Sequence, residues 1–235
     1  MSDIQPVIID FPLRGDNWVA YNSPGDRVPS HGTDMLGQRY AFDFLRVDDR
    51  RKLRTSPGST LRLSVVGTAA RDCYAWDATI FAPFDAEVVA VRDGISEPVW
   101  IHPVREILRM IRNAVTFRES KLPMILGNHV ILRRADGIFA GFAHLRPGSV
   151  AVAVGQSVRT GDVLGRVGHT GNSTNPHLHF QLMDTDDLMK AQGIPVAFRA
   201  YEVRAGDTWR PVSEGVPRRS ERIRYENGSR QPTGD

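Results

Sequence analysis

Between residues 78 and 184 apolar and polar positions alternate in short runs, and the runs are separated by Gly, Pro and Asp. That is the period of half-buried strands rather than helices, so the chain reads as mainly β with an antiparallel core. Strands are expected at Glu87–Arg92, His129–Arg134, Ile138–Leu145, Asp162–Val167 and Leu178–Met183, and Ala135-Asp136-Gly137 has the chemistry of a tight hairpin turn. One segment departs from this period. Val104, Ile107, Leu108, Ile111, Ala114 and Val115 recur at helical spacing, Pro103 stands where a first helical residue is favoured, and Arg105, Arg109 and Arg112 lie off the stripe. The pattern predicts an inserted helix near 103–118 whose apolar face packs on the sheet. A second short helix is expected at 186–192, ended by Gly193, and 46–72 reads as a long excursion around Pro57-Gly58.

At 235 residues the chain can bury a core of its own without metal or disulfide staples. Cys73 is the lone cysteine, so neither a disulfide framework nor a thiolate zinc cluster can form. The net charge of +3 is unevenly placed, because residues 217–235 carry 5 Arg against 2 Glu and 1 Asp. That end reads as a solvated, flexible basic tail, and nucleic acid is not an expected partner. The amino terminus lacks a basic region ahead of an apolar run, and no stretch reaches the ~20 apolar residues of a membrane span. As written, the chain is expected to have no transmembrane segment and to be cytoplasmic.

Five of the seven histidines, at 129, 144, 169, 177 and 179, fall within some fifty positions. In a strand, residues two apart share a face, so His177 and His179 would present both imidazoles to one cleft while Leu178 and Phe180 enter the core. The polar loop immediately before them contains Asn172, Ser173, Thr174 and Asn175, and a plain surface strand does not need it. Near the amino end, His31-Gly32-Thr33-Asp34 leads into Tyr40-Ala41-Phe42-Asp43-Phe44, where Asp43 lies on the face opposite the aromatic residues. Two histidines and one carboxylate, with a position left open for water, form a catalytic zinc set.

These residues resemble the M23 zinc peptidases, the lysostaphin-like or LytM-type peptidoglycan endopeptidases. The resemblance rests on Ser30-His31-Gly32 with Tyr40–Phe44, on Ala82–Val88, on Gly127–Val130 with Ala143-His144-Leu145, and on Val158–Gly165 running through Gly168–Phe180. It implies a LytM-like β-sheet groove built on a duplicated hybrid motif. It further implies one zinc ion per chain on His31, Asp43 and His179, with His144 and His177 as catalytic histidines and peptidoglycan cross-link peptides as substrate. A cell-envelope or extracellular site of action would follow. Asp34 is a rival ligand, since it stands three residues from His31 whereas Asp43 is twelve away. Gln181 occupies a position where a glutamate is common. On this reading residues 1–29 are a lead-in, and 30–216 are the peptidase-like domain with insertions at 46–80 and 95–125. Two other outcomes share the sequence features: a non-catalytic LytM-like binding or regulatory module, and a zinc hydrolase with a substrate outside the cell wall. A lipoyl-type carrier would need a lysine at a hairpin tip, and Lys52, Lys121 and Lys190 have no such setting.

Overall fold

A computed structural model describes residues 5–49, 54–116 and 118–226. The first strands are β1 (Val7–Ile9), β2 (Gly15–Asn22) and β3 (Phe42–Arg46). Helix α1 (Thr60–Val65) and strands β4 (Thr68–Ala69), β5 (Thr79–Phe81), β6 (Ala86–Arg92) and β7 (Trp100–Ile101) follow. Helices α2 (Pro103–Val115) and α3 (Leu122–Leu126) precede β8 (Asn128–Arg133), β9 (Phe139–Leu145), β10 (Ser157–Val158), β11 (Val163–Arg166) and β12 (Leu178–Met183). The chain continues through β13 (Gly193–Ile194), β14 (Val196–Ala205), β15 (Thr208–Gly215) and β16 (Ile223–Tyr225).

The protein is mainly β, as the alternation predicts. Twelve strands form one sheet in the order β1-β14-β16-β2-β3-β12-β9-β8-β6-β10, with β13 on β12 and β15 on β14. Its pairs are antiparallel except β1 with β14. Strands β1 and β2 precede residue 30 and β16 follows residue 216, yet all three pair within this sheet. Of the expected tail, residues 227–235 lie outside the described residues.

The inward positions of the strands supply the core. Phe42 and Phe44 of β3, Phe142 of β9, Phe180 of β12 and Phe198 of β14 are fully buried in one cluster with Trp18, Leu132 and Leu178. Phe198 meets Phe42, Phe44 and Phe11 edge-on, with ring centroids 4.8 to 5.8 Å apart. Cys73 is buried outside this cluster, and burial pushes its thiol pKa up to about 12.

Two expectations are corrected. Residues 186–192 form a single turn rather than a helix: the Lys190 and Ala191 amides both donate to the Asp187 carbonyl, and the chain then enters β13. The inserted helix does form, but its apolar face does not pack on the sheet. Val104, Ile107, Leu108, Ile111 and Val115 are all exposed, and the buried side chain is Glu106, at 2% exposure. Helical periodicity marks an amphipathic face without saying which way it turns. Here the polar face turns inward because it finds partners there: Arg109 binds Glu106 at 2.6 Å and donates to the Ser173 carbonyl at 2.5 Å, while Asn113 donates to the Asn172 side chain at 3.0 Å.

Phe198 belongs to a strand near one end of the chain and packs against rings from the amino-terminal half. Phe198→Ala should therefore destabilise the whole fold by about 3–5 kcal/mol in a single cooperative denaturant transition. Two separate transitions would show that β14 folds apart from β2 and β3.

Candidate metal centre and groove

Strand β12 pairs with β3 on one side and β9 on the other, and the register sets Asp43 opposite His179. With Phe42, Phe44, Leu178 and Phe180 turned to the core, alternation puts Asp43, His179 and Gln181 together on the other face. His31 reaches this face from the loop after the buried Ser30. Its Nε2 lies 3.0 Å from Asp43 Oδ2, and His179 Nδ1 lies 2.9 Å from Asp43 Oδ1. One ligand-type atom from each of the three residues falls within 4.8 Å of the others.

The other ring nitrogens are already engaged, so the donor atoms are defined. His31 Nδ1 bonds the Ser30 hydroxyl at 3.0 Å, and His179 Nε2 donates to Gln181 Oε1 at 2.8 Å. Gln181 is in turn fixed by its amide, which donates to the Leu36 carbonyl at 2.7 Å. Such partners hold a ligating imidazole in one tautomer and orientation. Asn22 donates to Asp43 Oδ2 at 2.6 Å, reached through an irregularity where Ala20 and Asn22 of β2 face consecutive residues Phe44 and Asp43 of β3. An N, O, N donor set converging in this way fits a tetrahedral divalent ion such as zinc.

His144 and His177 stand beside this trio, with ring centroids 4.9 Å apart, and His144 lies 5.9 Å from His179. Strict alternation along β9 would turn His144 toward the core with Ala140 and Phe142. A bulge prevents it: Asn128 pairs with Leu145 while Val130 pairs with Phe142, so β9 carries one residue more than β8, and His144 adopts φ +66°. Leu145 thereby enters the core and the imidazole enters the groove. A non-glycine residue at positive φ is strained and persists where its surroundings over-determine it. Here His144 Nδ1 donates to the Thr170 carbonyl at 2.9 Å. His177 Nδ1 donates to the Asn175 carbonyl at 2.7 Å, and its Nε2 lies 3.3 Å from Asp43 Oδ1. Gly171 lets this loop lie against the carboxyl-terminal end of α3, since a Cβ there would sit 2.4 Å from the Ile125 carbonyl oxygen.

Burial opposes charge throughout the cluster. It works against the Asp43 carboxylate, but the His177 and His31 charges and hydrogen bonds from His177 and His179 outweigh it and hold Asp43 well below the usual range. For His144, burial and then the neighbouring His177 and His179 push the pKa well down, which keeps the ring neutral. Burial also lowers His177, yet Asp43 more than compensates and the net shift is upward.

The trio and the two histidines open onto a groove of about 970 Å³. Asn172, Thr174 and Asn175 line it, whereas Ser173 is buried beneath, its hydroxyl between His177 Nδ1 at 3.1 Å and His169 Nδ1 at 2.9 Å. Asp34 lies outside the cluster, exposed and paired with Arg39 at 2.6 Å. His129 is half-buried, its Nδ1 bonded to the Gly127 carbonyl at 2.9 Å.

The profile described as Peptidase family M23 matches residues 105–191. Over this segment, somewhat more than a third of its length, the chain is similar to peptidase family M23. The matched segment contains His144, His177 and His179, while Asp43 on β3 and His31 on the loop before it precede that segment. The DD-carboxypeptidase/endopeptidase Mpg of Neisseria meningitidis serogroup B is 47% identical over 55 residues, 23% of this chain. The cell division protein DipM of Caulobacter vibrioides is 34% identical over 76 residues, 32% of this chain. The matched part is 12% of the length of each of these relatives. The catalytic domain of lysostaphin from Staphylococcus simulans aligns with 59% of this chain and 84% of its own, at 22% identity and a TM-score of 0.32. A zinc-containing peptidase from Vibrio cholerae aligns with 74% of this chain and 33% of its own, at 17% identity and a TM-score of 0.32.

Sequence reasoning missed the supporting residues. In the sequence Gln181 only stands where a glutamate is common, and nothing in local spacing marks Asn22, Ser30, Glu106 or Arg109 as neighbours of the site. His169 is fully buried, its Nε2 3.8 Å from Glu106 Oε2. Burial first, then the Arg109 charge, lowers its pKa from 6.5 to about 3. The unfolded chain therefore takes up this proton below pH 6.5 and the folded chain does not. His169 thus favours folding less and less as pH falls from 6.5 toward 3. Between pH 7 and pH 5 this should remove ~2 kcal/mol of stability, and His169→Gln should show a correspondingly flatter dependence in urea titrations at the two pH values. An identical pH dependence in the variant would exclude His169 as its source.

Proposed function

We propose that this protein is a zinc metallopeptidase that hydrolyses peptide bonds, with peptidoglycan cross-link peptides as substrate. One observation carries the reading: three ligand atoms of His31, Asp43 and His179 converge beside two histidines whose Nδ1 atoms are tied to backbone carbonyls, so that His144 Nε2 is turned to the groove and His177 Nε2 to the Asp43 carboxylate at the ligand cluster. The match to Peptidase family M23 and the relative named a DD-carboxypeptidase/endopeptidase support peptide-bond hydrolysis. When bound, zinc supplies Lewis acidity and makes a water-derived nucleophile available at neutral pH.

The chain's own residues do the rest. His144, held neutral and oriented by the Thr170 carbonyl, accepts a proton at Nε2 from attacking water. His177, oriented by the Asn175 carbonyl, stabilises the developing oxyanion from Nε2. The groove's loop residues Asn172, Thr174 and Asn175 hold the peptide against this pair. The His31, Asp43 and His179 set supports this reading over that of a non-catalytic binding module, which has no need of it.

Purified protein should contain about one zinc per chain by mass spectrometry, with the metal lost in His179→Ala and Asp43→Ala and strongly weakened in His31→Ala. Asp34→Ala should leave it in place, and Gln181→Leu should weaken binding by about 10- to 100-fold by freeing the His179 ring. Full metal content in both His179→Ala and Asp43→Ala would overturn the ligand assignment.

On isolated cell walls, His144→Ala and His177→Ala should each lose about 10²–10³ in rate while keeping zinc. Since both serve one transition state, the double variant should lose less than the product of the two. Unimpaired turnover in His144→Ala would remove it from the mechanism. A zinc-loaded wild-type protein that leaves cell walls intact but binds them would favour the binding-module reading.

A further inference from the structure

Helix α2 sits on the molecule inside out. Its polar side chains Glu106, Arg109 and Asn113 face the catalytic loop, and its apolar strip faces solvent, with Leu108 61% and Val115 81% exposed. Just before the helix in the sequence, Val99 and Trp100 are also exposed, at 76% and 44%. The Trp100 indole N–H is already satisfied by the Val66 carbonyl at 2.8 Å. Arg105 and Arg112 border the strip and are exposed; Arg105 also donates to the Trp100 carbonyl. Over its 13 residues the helix carries three arginines and one glutamate, and that glutamate is buried against Arg109.

We infer that this face docks on an anionic lipid surface. Apolar side chains in a narrow strip, arginines along its border and an exposed tryptophan just before it in the sequence are the features of a helix lying in a membrane interface. There the strip enters the acyl boundary while the arginine stems reach back to phosphate headgroups. Charge complementarity selects the occupant. The charged side chains exposed along the strip's border are Arg105 and Arg112, and the helix's single glutamate is buried, so anionic headgroups are their complement. No helix among the described residues is long and apolar enough to cross a membrane, so the contact is peripheral. Ile107 and Met110, on the flank of the same helix, line the groove. Docking would therefore set one rim of the groove at the lipid surface. The inference stands apart from the peptidase reading, and its test does not use activity.

Flotation of the purified protein with phosphatidylcholine vesicles and with equimolar phosphatidylglycerol–phosphatidylcholine vesicles decides it. Binding to the anionic vesicles should be at least tenfold tighter and should weaken in high salt. Leu108→Ser with Ile111→Ser should reduce binding about tenfold or more. Arg105→Gln with Arg112→Gln should reduce it by about fivefold per arginine. Leu108, Ile111 and Arg112 are exposed, so their replacement should leave thermal unfolding as in wild type; should the first double variant unfold early, Val104→Ser, at 56% exposure, tests the strip singly, and should the arginine variant do so through loss of the Arg105 bond to the Trp100 carbonyl, Arg112→Gln tests the border singly. Equal affinity for both vesicle types, no binding to either, or binding indifferent to these substitutions would overturn the inference. So would a vesicle-free dimer, seen by sedimentation, that Leu108→Ser with Ile111→Ser dissolves, because it would assign the face to a second copy.

Discussion

The pairing of β3 with β12 is the contact on which the rest of the site depends. Phe42 opposite Phe180 and Phe44 opposite Leu178 lock two apolar rows into the core, and between them Asp43 is set opposite His179. A slip of one residue would turn the aromatic rings to the groove and the carboxylate into the core, so burial of the phenylalanines specifies the register of the polar residues. The hydrophobic effect thus places a charged group it does not itself favour. Asp43 is kept ionised in this buried position by the imidazoles around it, and the Asn22 amide also donates to it.

Regular sheet geometry could not complete the site. Two departures from it bring in further groups: the irregularity in β2 that brings Asn22 to Asp43, and the bulge in β9 that turns His144 away from the core. The second is held in a left-handed conformation by the Thr170 carbonyl, on a loop seated closely against the carboxyl-terminal end of α3 at Gly171. Strain at His144 is thereby balanced by hydrogen bonding that also fixes its tautomer.

The insertion carrying α2 ties this loop to the outer surface. Arg109 and Asn113 bind the loop residues Ser173 and Asn172, and Ser173 in turn contacts His177. A helix committed by its polar face to a buried network must expose its apolar face, so internal hydrogen bonding on one side creates a sticky surface on the other.

Much of this was legible along the chain. Alternation of period two located β6, β8, β9, β11 and β12 to within a residue or two, and the His177–His179 spacing put both rings on one face because a strand offers no other arrangement. The M23-like blocks pointed to His31, Asp43 and His144 as companions of that pair. What the sequence could not reveal is set by contacts between distant segments. Asp34 and Asp43 are both carboxylates near His31 in the sequence; only the pairing of β3 with β12 brings Asp43 to His179 and leaves Asp34 on Arg39. The stripe on α2 is equally visible whether it faces inward or outward, and the choice was made by Glu106, Arg109 and Asn113 finding partners on a loop some 60 residues away. Local periodicity determines which residues share a face; which face is buried depends on what the rest of the fold can satisfy.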